Sequence, residues 1–208
     1  MKVLLINGSP KAEGCTYTAL KTVADELVNN GVEAEIVHVG TEAVRGCMGC
    51  GMCARNGSHK CIYTQDNVNM IIEKLHEADG LVIGSPVHYA AASGALTSTL
   101  DRVFYAGGSM ACKIGASVVS CRRGGASAAF DQLNKYFTIA QMPIVSSNYW
   151  NQVHGNTPQE VLEDKEGIQT MQVLARNMAW LLKCVKAGQA AGVEKPKPAA
   201  KIKTNFIR

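Results

Sequence analysis

Four cysteines crowd into the stretch RGCMGCGMCARNGSHKC, at positions 47, 50, 53 and 61. Cys47, Cys50 and Cys53 recur every third residue, and Cys61 follows after seven others. Three thiolates at this pitch converge on one face of a cubane iron-sulfur cluster, with the fourth ligand supplied a little further on. Glycines at 46, 49, 51 and 57 would let the backbone wrap such a group and donate to its sulfurs. Zinc more often takes two C-x2-C pairs separated by a longer loop, which is not the arrangement here. Spacing alone leaves three occupants open: a 4Fe-4S cluster, a zinc ion, or none, the thiols then lining a substrate-facing loop. Cys112, Cys121 and Cys184 fall near core elements and read as small buried apolar residues, although Cys121, in the stretch SCRRGGASA, could instead touch a bound ligand.

Three other stretches carry residues suited to a phosphorylated planar ligand. GSPKAEGCTYT sets Ser9, Lys11, Thr16 and Thr18 around what reads as a helix start. Free backbone N-H groups there, with hydroxyls and a lysine, suit a phosphate monoester. The stretch is neither a Walker A loop nor G-x-G-x-x-G, which disfavours a nucleoside triphosphatase and a Rossmann dinucleotide fold. In the second, Ser85 to Tyr89, Pro86 fixes the chain while His88 and Tyr89 present flat rings beside backbone groups able to bond a heterocycle edge. The third, SCRRGGASA, combines glycines for close backbone approach with the charge of Arg122 and Arg123. Each also has a plain reading, as an N-cap, an ordinary turn or surface charge.

Their meaning depends on the elements that hold them. Val3 to Ile6, Leu81 to Ile83, Ile114 to Val119 and Ile144 to Val145 read as buried strands, with Ala34 to Val39 a weaker one. Between and after them apolar residues recur at helical spacing, as in Leu20, Val23 and Leu27, or Ile168, Met171, Leu174, Met178 and Leu182. Alternating β and α units predict a three-layer α/β sandwich, a five-stranded parallel sheet of order 2-1-3-4-5 with helices on both faces. Ligands bind such sheets at the carboxyl ends of strands near a switch point. The three stretches follow strands one, three and four, which that order makes neighbours. A phosphate clamp, a planar platform and a Gly/Arg loop on adjacent strand ends together describe a flavin mononucleotide site.

Composition agrees with one compact domain of 208 residues, 47% hydrophobic and 18% charged. Val3 to Ile6 is too short for a signal core and no stretch approaches a membrane span, so a cytoplasmic location, no membrane and reduced thiols are expected. Seven basic residues and one acid from Lys183 onward give the tail +6, against +4 for the whole chain, which leaves the body at −2. The basic excess is thus a solvated Pro/Lys extension, and no nucleic-acid partner is expected. Its apolar residues Ile202, Phe206 and Ile207 suit docking on the body or on a neighbouring subunit. The expected division is residues 1–184 as the FMN-binding domain and 185–208 as the extension.

The stretches GSPKAEGCT, SPVHYAAASGALTSTLDR and CRRGG resemble the flavodoxin-like NAD(P)H-dependent FMN reductase superfamily over residues 1 to about 184. The C-x2-C-x2-C-x7-C run resembles the compact cysteine motif of its iron-sulfur flavoprotein branch. The resemblance implies the FMN phosphate on Ser9, Lys11, Cys15, Thr16, Tyr17 and Thr18. It implies the isoalloxazine on Ser85, Pro86, Val87, His88 and Tyr89, and on Ser120, Arg122 and Gly124. Relatives usually carry Asn where this chain has Cys15, a change that keeps a backbone contact to the phosphate and forfeits a side-chain amide. Many relatives with this cysteine pattern are not known to need a cluster, so the empty loop stays open beside the 4Fe-4S reading of Cys47, Cys50, Cys53 and Cys61.

The implied activity passes electrons from NAD(P)H, or an iron-sulfur donor, through FMN to a small acceptor such as a quinone, a nitro or azo compound, or flavin. The flavin carries that chemistry, so no side-chain catalytic constellation is required. His88 is the one histidine expected at the site, as a flavin-facing ring and proton donor. Arg122 and Arg123 suit the anionic reduced flavin or the phosphates of a nicotinamide cofactor, and Asp101 and Arg102 read as structural. Tyr149, Trp150 and His154 suit one wall of an acceptor pocket or a subunit contact. The alternative is an electron carrier without its own substrate, against which the near-neutral body argues. A phospho-receiver domain is excluded by Asn7, Gly8 and Ser9, where it needs acids. The resemblance further implies a homodimer or homotetramer.

Overall fold

The computed structural model describes residues 1–197 together with 199, 202, 204 and 206. Strands β1 (Lys2–Asn7), β2 (Glu33–His38), β3 (Gly80–His88), β5 (Ile114–Cys121) and β6 (Gln152–His154) form a parallel sheet in the order β2-β1-β3-β5-β6. Strand β4 (Ala91–Ala92) pairs antiparallel with the end of β3. Leaving out that short strand, the order is 2-1-3-4-5, and the architecture is flavodoxin-like.

Alternation along each strand builds two cores. Leu4, Ile6, Leu81, Ile83 and Val119 face one side, where α3 (Val68–Glu77), α4 (Gly94–Ala106) and α5 (Ala126–Ile139) cover them. Val3, Leu5, Val82, Ala116 and Val118 face the other, against α1 (Cys15–Asn29) and α7 (Lys165–Ala190). Strands buried on both faces read as continuous apolar runs, as in a parallel sheet. Short helices α2 (Met52–Arg55) and α6 (Pro158–Glu163) lie in the connections after β2 and β6.

Two readings need correction. The last strand is Gln152–His154, not Ile144–Val145. Ile144 forms only an isolated bridge to Gly115, after which the chain leaves the sheet. Asn151 returns it: its side-chain amide donates to the Ser117 carbonyl at 3.0 Å and its carbonyl accepts from Val119 N at 2.9 Å. The segment from Ser85 to Tyr89 is not a loop, because β3 continues through His88 into a hairpin with β4.

Helix α7 runs to Ala190, past the expected boundary at 184. In the tail, Ile202 and Phe206 are exposed, while Ile207 lies outside the described residues. Among the described residues no helix is long and apolar enough to cross a membrane.

Candidate functional site

The carboxyl ends of β1, β3, β5 and β6 meet at one open cleft with about 680 Å³ of free space. Ser9 and Lys11 line it from the first loop, Cys15 and Thr16 from the start of α1, Pro86, Val87 and His88 from β3, and Ser120 and Arg122 from β5 and its loop. Pro10, Cys121, Gly155 and Asn156 complete the wall. The first loop is held by its own polar groups. Asn7 donates from Nδ2 to Ala12 O at 2.9 Å and accepts from Ser9 N at 3.1 Å. The Ser9 carbonyl meets the His38 Nε2 at 2.7 Å, and Ser9 Oγ accepts from Lys11 N at 3.1 Å. Ser93 at the head of α4 donates to Gly8 O at 2.6 Å, which ties the loop to that helix.

Helix α1 opens into this cleft with Gly14 at its N-cap and no side-chain cap. Its first-turn N-H groups and the positive end of its dipole are therefore available to an anion. Thr16 Oγ1 and Ser120 Oγ share a buried hydrogen bond of 2.8 Å that joins the start of α1 to the end of β5. Thr16→Val is expected to strand the Ser120 hydroxyl and to cost about 1–3 kcal/mol of stability, read as a lower denaturant midpoint at unchanged m-value.

The other residues expected at the site lie as follows. Ser85 is fully buried; its Oγ donates to Pro86 O at 2.8 Å and accepts from Ser93 N at 2.9 Å, which fixes β3 to the start of α4. Thr18 Oγ1 donates to Gly14 O at 3.2 Å, and Tyr17 is half-buried on the same turn. Tyr89 and Gly124 are exposed beside the cleft and do not line it. Burial pushes the Cys15 and Cys121 thiols up from their ordinary values, so both stay protonated near neutrality. Sequence reasoning did not place Gly155 and Asn156 here, since the strand that delivers them was misassigned; Asn7, whose side chain shapes the first loop, carried no signal beyond being a strand-end polar residue.

The β3–β4 hairpin turns on Tyr89 and Ala90, both at positive φ, +49° and +62°. Two-residue turns of this kind favour Asn-Gly, because a Cβ is disfavoured in the left-handed region. Ala90→Gly is therefore expected to raise stability by about 1 kcal/mol, seen as a higher Tm.

A second feature lies against α4. Cys47, Cys50, Cys53 and Cys61 all line one shallow hollow, with Ile62, Tyr63, Arg102 and Tyr105 among its other walls. Gly49 and Gly51, at φ of +65° and +70°, make the turns that bring the first three cysteines to it. Asn69 on α3 clamps the fourth by accepting from Cys61 N at 2.8 Å and donating to Cys61 O at 2.9 Å. Among the described residues no three Cys, His, Asp or Glu side chains gather around one ion. Four cysteine thiols on one hollow are the soft donor set that an iron-sulfur cluster would need.

Comparisons with known proteins bear on both features. The family model for NADPH-dependent FMN reductase matches residues 1–157. An iron-sulfur flavoprotein of Methanocaldococcus jannaschii is 30% identical over 195 residues, spanning 89% of this chain and 100% of that one. The structure of RosB with bound 8-demethyl-8-formylriboflavin-5'-phosphate is similar at a TM-score of 0.69 and 15% identity, over 100% of this chain and 92% of that one. A flavodoxin from the domain Archaea is similar at a TM-score of 0.61 and 14% identity, over 88% of this chain and 99% of that one.

Proposed function

The chain belongs to the NADPH-dependent FMN reductase family, and on that premise we propose that it takes electrons from NAD(P)H and delivers them through FMN to a small acceptor. Quinones, nitro or azo compounds and free flavin are the acceptor class. The observation that carries this reading is the single cleft to which Ser9, Lys11, Cys15, Thr16, Pro86, Val87, His88, Ser120 and Arg122 all contribute. Bound there, FMN would supply hydride and single-electron chemistry, and a 4Fe-4S cluster on Cys47, Cys50, Cys53 and Cys61 would supply single-electron transfer.

The chain's own residues bind and orient. The uncapped first turn of α1, with Ser9 and Lys11, receives the phosphate. The end of β3 from Pro86 to His88, and the β5 end at Ser120, offer backbone groups to the ring edge. His88 is exposed at the cleft and can hand a proton to an acceptor bound over the ring. Arg122 and Arg123, both exposed, face incoming anionic groups such as nicotinamide phosphates. We further propose a homodimer or homotetramer. Exposed Tyr149, Trp150 and Trp180 support a subunit contact, to be checked by sedimentation.

The test is the absorption spectrum of the chain purified without oxygen, with flavin, iron and sulfide measured per chain, followed by NAD(P)H oxidation with and without a quinone. Flavin together with steady turnover supports the reading. Flavin without turnover makes the chain an electron carrier, and absence of flavin overturns both.

A further inference from the structure

Arg102 is only 1% exposed, the largest fully buried side chain among the described residues, and it lines the cysteine hollow. A buried cation needs partners, and four of the five guanidinium N-H groups of Arg102 have one. Its Nε donates to Cys61 Sγ at 3.2 Å, Nη1 donates to Arg45 O at 3.2 Å and pairs with Asp66, and Nη2 donates to Tyr63 O at 3.0 Å. The guanidinium also stands 5.7 Å from the centre of the Tyr63 ring, which Arg45 approaches at 5.3 Å. Burial lowers the pKa of Arg102, but Asp66 and Cys61 more than offset this, so the net direction is up and the group stays charged.

These partners are not scattered. Arg45 precedes the first cysteine, Cys61 is the last, and Tyr63 and Asp66 follow it, so one side chain on α4 gathers both ends of the cysteine loop. Three of its contacts would serve a purely structural clamp. The fourth would not, since a neutral thiol is a weak acceptor, whereas an anionic or metal-ligating sulfur is a strong one. Asp66 balances the charge without occupying Nε, which leaves that N-H aimed at the hollow.

We propose that Arg102 is a positioning residue for an iron-sulfur group: it pre-assembles the loop that carries the ligands and, through its N-H to Cys61 Sγ, raises the reduction potential of the group held there. The inference rests on the cluster reading of the four cysteines. Its physical basis is that a hydrogen bond and a nearby positive charge both stabilise the more negative, reduced state of a sulfur-ligated centre.

Wild type, Arg102→Lys and Arg102→Leu, all purified without oxygen, are to be compared for iron, sulfide and flavin content, for the rate of iron loss to a chelator, and for midpoint potential by redox titration followed by electron paramagnetic resonance. Arg102→Leu is expected to keep its flavin and to hold iron about 10- to 100-fold less tightly. Arg102→Lys, which keeps a charge but not the planar fork, is expected to restore part of the iron and to show a midpoint potential more negative than wild type. Should Arg102→Leu lose flavin as well, a fold defect is indicated and the potential of Arg102→Lys decides. An iron-loaded wild type whose variants match it in retention and potential overturns the role of Arg102 alone. A wild type with flavin and no iron or sulfide overturns the cluster reading and this inference with it.

Discussion

Replacing Cys50 with serine is expected to strip iron and acid-labile sulfide from the chain while leaving its flavin in place. Cys50 is exposed on the loop before α2, and its thiol makes no hydrogen bond among the described residues. An exposed side chain of this kind contributes little to the fold, and its replacement lies within about 0.5 kcal/mol of neutral. Its value lies in the sulfur. A serine oxygen is a harder and far less acidic donor than a thiolate, so a cluster that needs four soft ligands loses one and is released or degraded. The cleft proposed for flavin draws on other segments, the chain after β1, β3, β5 and β6, and shares no lining residue with the cysteine hollow. Cys184→Ser is the matched control. That thiol is also exposed and lies outside both the hollow and the cleft, so its loss should leave iron and flavin unchanged. Iron and flavin assayed on the same preparations separate the cases. Wild-type iron in Cys50→Ser would mean that the loop holds its metal, if any, without Cys50.

The contrast between these two sites also shows how far the sequence could be read. The sheet order was legible because β1 and β3 carry unbroken apolar runs such as Val3 to Ile6, β5 carries one broken only by Gly115 and Ser117, and helices with clear 3.6 periodicity separate them. Given that order, the convergence of Ser9, Pro86 and Ser120 followed from topology alone. The last strand was not legible. Only Val153 of β6 is buried, between the half-exposed Gln152 and His154, and its attachment depends on the Asn151 side chain, whereas Ile144 and Val145 display a stronger apolar signal. The misassignment hid Gly155 and Asn156, which line the cleft only because β6 ends where it does. The hairpin was hidden for another reason: Tyr89 and Ala90 lack the glycine or asparagine that announces such a turn. Arg102 was invisible as a site residue because its significance is a set of contacts 36 to 57 positions away in sequence, which no local pattern encodes.

Replacing Cys15 with aspartate is expected to have opposite effects on the empty fold and on flavin binding. Cys15 is the first residue of α1, just after the uncapped Gly14, and it lines the cleft. A carboxylate in the first turn of a helix interacts favourably with the dipole, by about 0.3–1 kcal/mol, so the flavin-free protein should melt at an equal or higher temperature. The same carboxylate competes for the N-H groups assigned to the phosphate and repels it. Two unit charges about 5 Å apart at an effective dielectric of 20 repel by about 3 kcal/mol, which is about 100-fold in affinity. Cys15→Asn is nearly isosteric with the aspartate and carries no charge. It should bind FMN at least as well as wild type, because its amide can add a donor where the thiol, 3.7 Å from Gly155 O, supplies only a weak one. Titration of the three flavin-free proteins with FMN, followed by flavin fluorescence and by melting temperature, gives both readouts. Weak binding by the aspartate variant together with undiminished stability locates the phosphate at the start of α1. Equal affinity in the aspartate and asparagine variants would move the phosphate elsewhere in the cleft, since no misfolding could spare both the melting temperature and the affinity while hiding a charge of this size.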